Sequence, residues 1–186
     1  MDKNKTIVWV VVGVVVAAIV IYFAVSGGLP TPTQQPAGTQ TPQGTVAVTG
    51  TSPIAPSGEV IAPSGKAADN TSVPGSQTAP QQSAPITETQ VPPQAIKLSV
   101  SAAGFSPSSF TVRAGKAVTL SLTGTDQQTH VLRFDDPSLQ AVAIGIGPGQ
   151  TRVITFNAPS KSGDYSFHCD VPGHAARGET GKMTVQ

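Results

Sequence analysis

Three patterns of apolar spacing follow one another along the chain. From Ile7 to Val25 every residue is apolar or small, with no polar interruption except at the ends. From Ser26 to Gln94 isolated apolar residues are scattered among Pro, Thr, Gln, Ser and Gly with neither a strand nor a helix period. From Ala95 onward apolar and polar residues alternate in short stretches separated by turn residues. "AIKLSV" places Ile96, Leu98 and Val100 on one face, and "AVTLSLTG" does the same with Val118, Leu120 and Leu122. A period of two over five to eight residues predicts half-buried strands. "SFTVRAGK" reads as a strand end running into a glycine turn, "HVLRF" as a strand beginning at His130, and "TRVITF", "DYSFHC" and "KMTVQ" as three more. "DDPSLQAVAIG" reads as a loop with one helical turn leading into a strand. No stretch of a dozen residues carries a 3.6-residue apolar period. Six or seven short strands punctuated by Gly and Pro predict an all-β fold, a Greek-key antiparallel β-sandwich over 95–186.

The first pattern has its own consequence. Nineteen residues at a rise of about 1.5 Å each match the roughly 30 Å hydrocarbon core of a bilayer. Lys3 and Lys5 precede the span, which predicts a cytoplasmic N-terminus and an exported remainder. Trp9 and Tyr22 fall near its two ends, where aromatic rings suit the interfaces. Residues 1–25 are therefore expected to form a retained single-pass anchor in the plasma membrane, with the C-terminal domain on the periplasmic or extracellular side. The alternative is a cleavable signal peptide, since "AVS" before Gly27 supplies small residues at a cleavage spacing. The length of the span favours the anchor, because the apolar part of a signal peptide runs only about 7 to 15 residues.

The second pattern, 26–94, holds 12 of the 17 prolines and no aromatic residue. A segment of that composition buries too little apolar surface to offset its ordering entropy, which predicts a disordered or polyproline-like tether. Within it "IAPSG" occurs twice, at Ile54–Gly58 and Ile61–Gly65.

Charge narrows the function classes. The formal net charge is +1, so no basic patch points to nucleic acid and no acidic tract points to a solvating tail. The single cysteine has no partner for an intramolecular disulfide in an exported chain. It lies in "GDYSFHCDVPGH", five residues before His174, with Pro172 and Gly173 between them to suit a tight loop. His130, at the start of another strand, supplies a third candidate. Thiolate and imidazole together are donors for copper or zinc, and two His with one Cys is the donor set of trigonal blue-copper centres. Taken singly, Cys169 reads as a small buried hydrophobe and His130 as an exposed or hydrogen-bonded residue. Taken together they favour a metal, because an exported thiol beside two histidines is open to oxidation unless a metal holds it. A Cys nucleophile with a His base is the remaining chemical reading, and the sequence shows no oxyanion-type loop to serve it.

"GFSPSSFTVRAGKAVTLSLTGTDQQTHVLRF", "GDYSFHCDVPGH" and "GETGKMTV" together resemble the cupredoxin family of small exported copper proteins. The resemblance covers Ala95 to Gln186. It implies a Greek-key β-sandwich, one copper ion held by His130, Cys169 and His174, and one-electron transfer without enzymatic turnover. Relatives with this loop usually read "P-G-H-x-x-x-x-M-x-G", with an axial Met five residues after the His. This chain has Glu179 there, and Met183 falls where a core aliphatic is expected. Glu179 is thus the expected axial residue, supplying an oxygen or turning outward, with Met183 as the alternative. His168 precedes the cysteine and points to the other strand face. A similar His holds a second copper in copper nitrite reductases, but the histidines such a site needs are lacking, so His168 reads as a surface residue. The resemblance implies an electron carrier, and the apolar span and Pro-rich segment that lie outside it add the anchor and tether, so the expected function is a membrane-tethered carrier that exchanges electrons with redox protein partners. A module that sequesters or delivers copper is the alternative, followed by a copper redox enzyme with an open coordination position.

Overall fold

The computed structural model describes residues 50–186. The expected anchor, 1–25, and the first part of the expected tether, 26–49, lie outside them. Among the described residues no helix is long and apolar enough to cross a membrane.

The described residues form nine strands: β1 (Ile96–Ser101), β2 (Gly104–Ser106), β3 (Ser109–Val112), β4 (Ala117–Gly124), β5 (His130–Phe134), β6 (Ala143–Ile146), β7 (Thr151–Asn157), β8 (Gly163–Cys169) and β9 (Thr180–Val185). One sheet has the order β2-β1-β4-β7 and the other β3-β9-β8-β5-β6. The all-β sandwich is as the alternation predicts, but its sheets are mixed rather than purely antiparallel. β1 pairs with β4, and β3 with β9, in parallel. Parallel neighbours need a crossover between them. Here the chain leaves β1, crosses to the second sheet as β3, and re-enters the first as β4 beside β1. "DDPSLQAVAIG" contains a 3-10 turn at Pro137–Leu139, capped by the Asp136 side chain accepting from the Ser138 N–H, and then becomes β6.

The period-two apolar sets face inward: Leu98 and Val100 of β1 and Leu120 and Leu122 of β4 are all buried. Each such side chain stabilises the fold by about 1.5–3 kcal/mol relative to an exposed position. Phe167 of β8 stands at the middle. Its ring meets Phe105 edge-on at 5.1 Å and Phe110 and Phe134 at 5.8 Å. A Cβ on Gly181 would lie 2.3 Å from that ring and 2.7 Å from the Ser108 carbonyl oxygen, so only glycine lets β9 pass there.

The disordered tether expected over 26–94 is not found from residue 50 onward, and the expected domain boundary at 95 falls inside packed chain. Residues 50–94 form a strap against the sandwich. The Ser83 N–H donates to the Val153 carbonyl at 2.7 Å, the Val153 N–H donates to Ser83 Oγ at 3.0 Å, and the Ile86 N–H donates to the Thr151 carbonyl at 2.9 Å. The strap thereby pairs with the outer edge of β7, which the sheet leaves open. Gln82 Oε1 also accepts from the Gly145 N–H of β6, at the edge of the other sheet. Asn70 Nδ2 donates to the Asn157 carbonyl at 2.7 Å, and Val60, fully buried, donates its N–H to Asn157 Oδ1. The two "IAPSG" copies form successive tight turns, closed by bridges Ile54↔Val60 and Ile61↔Ala67. Their glycines, Gly58 and Gly65, take the left-handed φ of 88° and 78° that such turns demand. The physical reason for the difference is that the strap needs no core of its own, since it borrows the edges and flank of a sandwich already packed.

Candidate metal centre

Two loops at one pole of the sandwich build the site. β5 begins at His130 directly after the polar turn "TGTDQQT", and β8 ends at Cys169. Backbone bonds fix the two ends side by side. The Asp170 N–H donates to the Val131 carbonyl at 2.8 Å, and the Val131 N–H points at Cys169 Sγ, 3.4 Å away. The chain then turns through Pro172 and Gly173 to His174, with the His174 N–H donating to the Val171 carbonyl. A 3-10 turn, Ala175–Arg177, ends at Gly178 with φ 101°, and the reversal brings Glu179 back beneath His174. The Cys169 N–H donates to the Glu179 carbonyl at 2.9 Å, locking the end of β8 to the start of β9.

The donor atoms converge. Glu179 Oε2 lies 2.8 Å from His130 Nδ1 and 3.0 Å from His174 Nδ1. Cys169 Sγ lies 3.5 Å from His174 Nδ1 and 3.9 Å from His130 Nδ1. All four atoms fall within 4.8 Å of one another, and all four residues are buried. The site residues expected from the sequence, His130, Cys169, His174 and Glu179, thus come together. Met183, the alternative to Glu179, sits fully buried in the hydrophobic core, paired with Tyr165 on β8 and Phe110 on β3. His168 faces the other side of β8, with Nδ1 2.5 Å from Asp135 Oδ1 and Nε2 3.6 Å from Asp170 Oδ1.

Three residues missed in the sequence complete the surroundings. Asp126 Oδ1 accepts from His130 Nε2 at 3.0 Å, and its carboxylate also takes the backbone N–H groups of Gln128 and Ala102. The His130 bond first, and the Gln128 bond after it, pull the Asp126 carboxyl down to about 2. Arg177 Nη2 donates to Glu179 Oε1 at 2.7 Å and to Gln128 Oε1 at 3.0 Å. Burial, the largest single influence on Glu179, pushes its carboxyl up. Hydrogen bonds from His130, Cys169, Arg177 and His174 together outweigh it and leave Glu179 below the usual carboxylate range. Burial pushes the Cys169 thiol up, against the lowering effect of the Val131 and Val171 N–H groups. The signal for Asp126 was its place four residues before His130 in a chain with only 10 acidic residues. Arg177 had none, because its role depends on the reversal at Gly178.

The donor set fits a cation. With a metal in place, the His130 proton would sit on Nε2 toward Asp126 and Nδ1 would turn its lone pair to the point that Glu179 Oε2 and Cys169 Sγ also face; without one, a proton on Nδ1 bridges to Glu179 instead. Convergent lone pairs in a buried pocket need a positive centre between them, a proton or a metal ion. Two imidazole nitrogens, a thiolate and one carboxylate oxygen suit copper or zinc.

Among solved structures, dithionite-reduced auracyanin from the photosynthetic bacterium Roseiflexus castenholzii is similar at 25% identity and a TM-score of 0.45, covering 50% of this chain and 97% of that one. Auracyanin A, a "blue" copper protein from the green thermophilic photosynthetic bacterium Chloroflexus aurantiacus, matches at 23% identity and 0.43, covering 50% and 98%. A reduced amicyanin variant matches at 18% identity and 0.41, covering 55% and 92%. No curated protein sequence matches the chain. A family model for the cupredoxin-like domain matches residues 77–185, starting within the strap. That match spans more than half of the 186 residues, and the chain belongs to the cupredoxin-like family.

Proposed function

We propose that this protein is a copper-containing electron carrier, held at the exported face of the plasma membrane by its N-terminal segment and exchanging single electrons with protein redox partners. The observation that carries the reading is the convergence of His130 Nδ1, His174 Nδ1, Cys169 Sγ and Glu179 Oε2 in one buried pocket. When bound there, copper supplies the one-electron Cu(I)/Cu(II) couple. The chain's own residues do the rest. β5, β8 and the reversal at Gly178 hold the four donors in place, so little rearrangement accompanies a change of charge. Asp126 orients the His130 ring. The His174 side chain is 11% exposed where those of His130 and Glu179 are fully enclosed, which makes its ring edge the route between the pocket and a docked partner. Glu179 adds a hard, negative donor, which favours Cu(II) and sets a reduction potential below that of a Met-ligated version.

Addition of Cu(II) to the purified full chain tests this. An intense thiolate charge-transfer band is expected, lost in Cys169→Ser and displaced in Glu179→Met, with a raised potential in the latter. Met183→Leu is expected to leave the band in place. Absence of the band, or its survival in Cys169→Ser, overturns the reading. The same donors fit Zn(II) in a closed tetrahedral site, and that second reading, a metal-holding module without electron transfer, is favoured by the full burial of Glu179. Metal analysis of the protein from its native host decides between them.

A further inference from the structure

Glu179 has two oxygens, and only one of them faces the donor cluster. Oε2 lies between the two histidines, while Oε1 is taken from outside by Arg177 Nη2 at 2.7 Å. The guanidinium is itself braced, since the same nitrogen donates to Gln128 Oε1 at 3.0 Å. Arg177 is 43% exposed at the rim and Glu179 is fully enclosed, so the pair spans the boundary between solvent and pocket. Exposed ion pairs contribute little to stability. A carboxylate with no exposure is a different case, because burying its charge without a partner is strongly unfavourable. The two residues stand two apart in sequence and meet only because Gly178, at φ 101°, reverses the chain between them.

We propose that Arg177 is a positioning residue for the metal centre: it withdraws Oε1 of Glu179, so that Oε2 alone faces His130, His174 and Cys169, and it balances the carboxylate charge before any metal arrives. This rests on the reading of Glu179 as the fourth donor. A carboxylate with both oxygens at liberty can chelate a metal or swing between oxygens, and either would loosen the fixed geometry on which rapid electron exchange depends. The planar guanidinium holds one oxygen along a defined direction, as a lysine ammonium would not. The braces on both sides of the pocket come from one turn: Asp126 holds His130, and Gln128 holds Arg177.

The test uses the copper-loaded full chain and reads the copper spectrum, the electron paramagnetic resonance of Cu(II) and the reduction potential. Arg177→Gln is expected to raise the preference for Cu(II) over Cu(I) by at least tenfold, a fall of about 59 mV for a one-electron couple, and to alter the Cu(II) resonance. In a Glu179→Gln background the same change is expected to add nothing to the resonance. Arg177→Lys is expected to recover the potential and not the resonance. Since Arg177 lies at the rim, the metal-free variants should fold, which their melting checks. If Glu179→Gln changes the resonance while Arg177→Gln changes neither resonance nor potential, Glu179 stands as a donor and the role of Arg177 is overturned. If Glu179→Gln changes nothing, the reading of the fourth donor fails and the proposal falls with it. A lowered melting temperature in Arg177→Gln with unaltered copper properties also overturns it, leaving a structural ion pair.

Discussion

The strap of residues 50–94 and the sandwich of 95–186 are both ordered, for opposite reasons. In the sandwich, alternating apolar residues close around Phe167 and its aromatic neighbours, and backbone pairing follows from that burial. The strap buries few apolar side chains, Val60, Ala62, Ala79 and Val91 among them. Its order comes from turns set by Pro and Gly and from hydrogen bonds to the open edge of β7. Lack of an apolar period therefore excludes an independent core without excluding order. A segment whose turns are prepared locally needs only a surface with unpaired backbone groups to dock on.

If that contrast is right, damage to the sandwich should cost most and should reach the metal site. Phe167→Ala removes the ring that four elements share, and an expected loss of about 3–5 kcal/mol, read by chemical denaturation, should come with a disturbed copper spectrum because Cys169 ends the same strand. A loss below about 1 kcal/mol would mean that the core repacks and that the contrast is overdrawn. Damage to the strap should be smaller and should stay local. Ser83→Ala leaves the Val153 N–H without its side-chain acceptor at a buried position. It is expected to cost about 1–3 kcal/mol with the copper spectrum unchanged; no loss at all would show that the strap rests on β7 without holding it. Smallest is Gly65→Ala, which puts a Cβ in a left-handed conformation at a cost of about 1–2 kcal/mol to one turn. Because residues 61–67 close on one another and on Gln77, with only their flanks Val60 and Asn70 reaching Asn157 of β7, most of that cost should appear as faster amide exchange near Ala62 rather than as lower global stability. Loss of global stability by the full amount would join the turns to the sandwich as one cooperative unit.

The same contrast explains what was legible in the sequence. Alternation carried the strands, because a half-buried strand must repeat with a period of two. The Cys169 to His174 spacing and the strand start at His130 carried three of the four clustered donors, since strand ends on one pole bring them together. The position of Met183, where relatives carry a core aliphatic, carried its placing in the core. What stayed hidden were the contacts between distant residues that carry no donor chemistry or period to mark them. Ser83 and Val153 meet across 70 residues, Arg177 and Gln128 across 49. No local pattern in a Pro-rich segment announces an edge that lies that far downstream, and a composition argument treats the segment as though it were alone.

The docking of residues 82–86 on β7 has a consequence for the timetable of assembly. During synthesis the strap emerges first, and the edge it will cover follows roughly 70 residues later, several seconds at common elongation rates of about 5–20 residues per second. The strap has to wait as an open chain while the later strands find one another, and its low apolar content makes that wait harmless. Pulse-labelling during refolding should then show the Leu120 and Phe167 amides protected before those of Ser83 and Ile86. Protection of the strap amides first would reverse the order. The chain thus carries the cover for its own exposed strand ahead of the strand, ready to close off that edge to a second copy as soon as it forms.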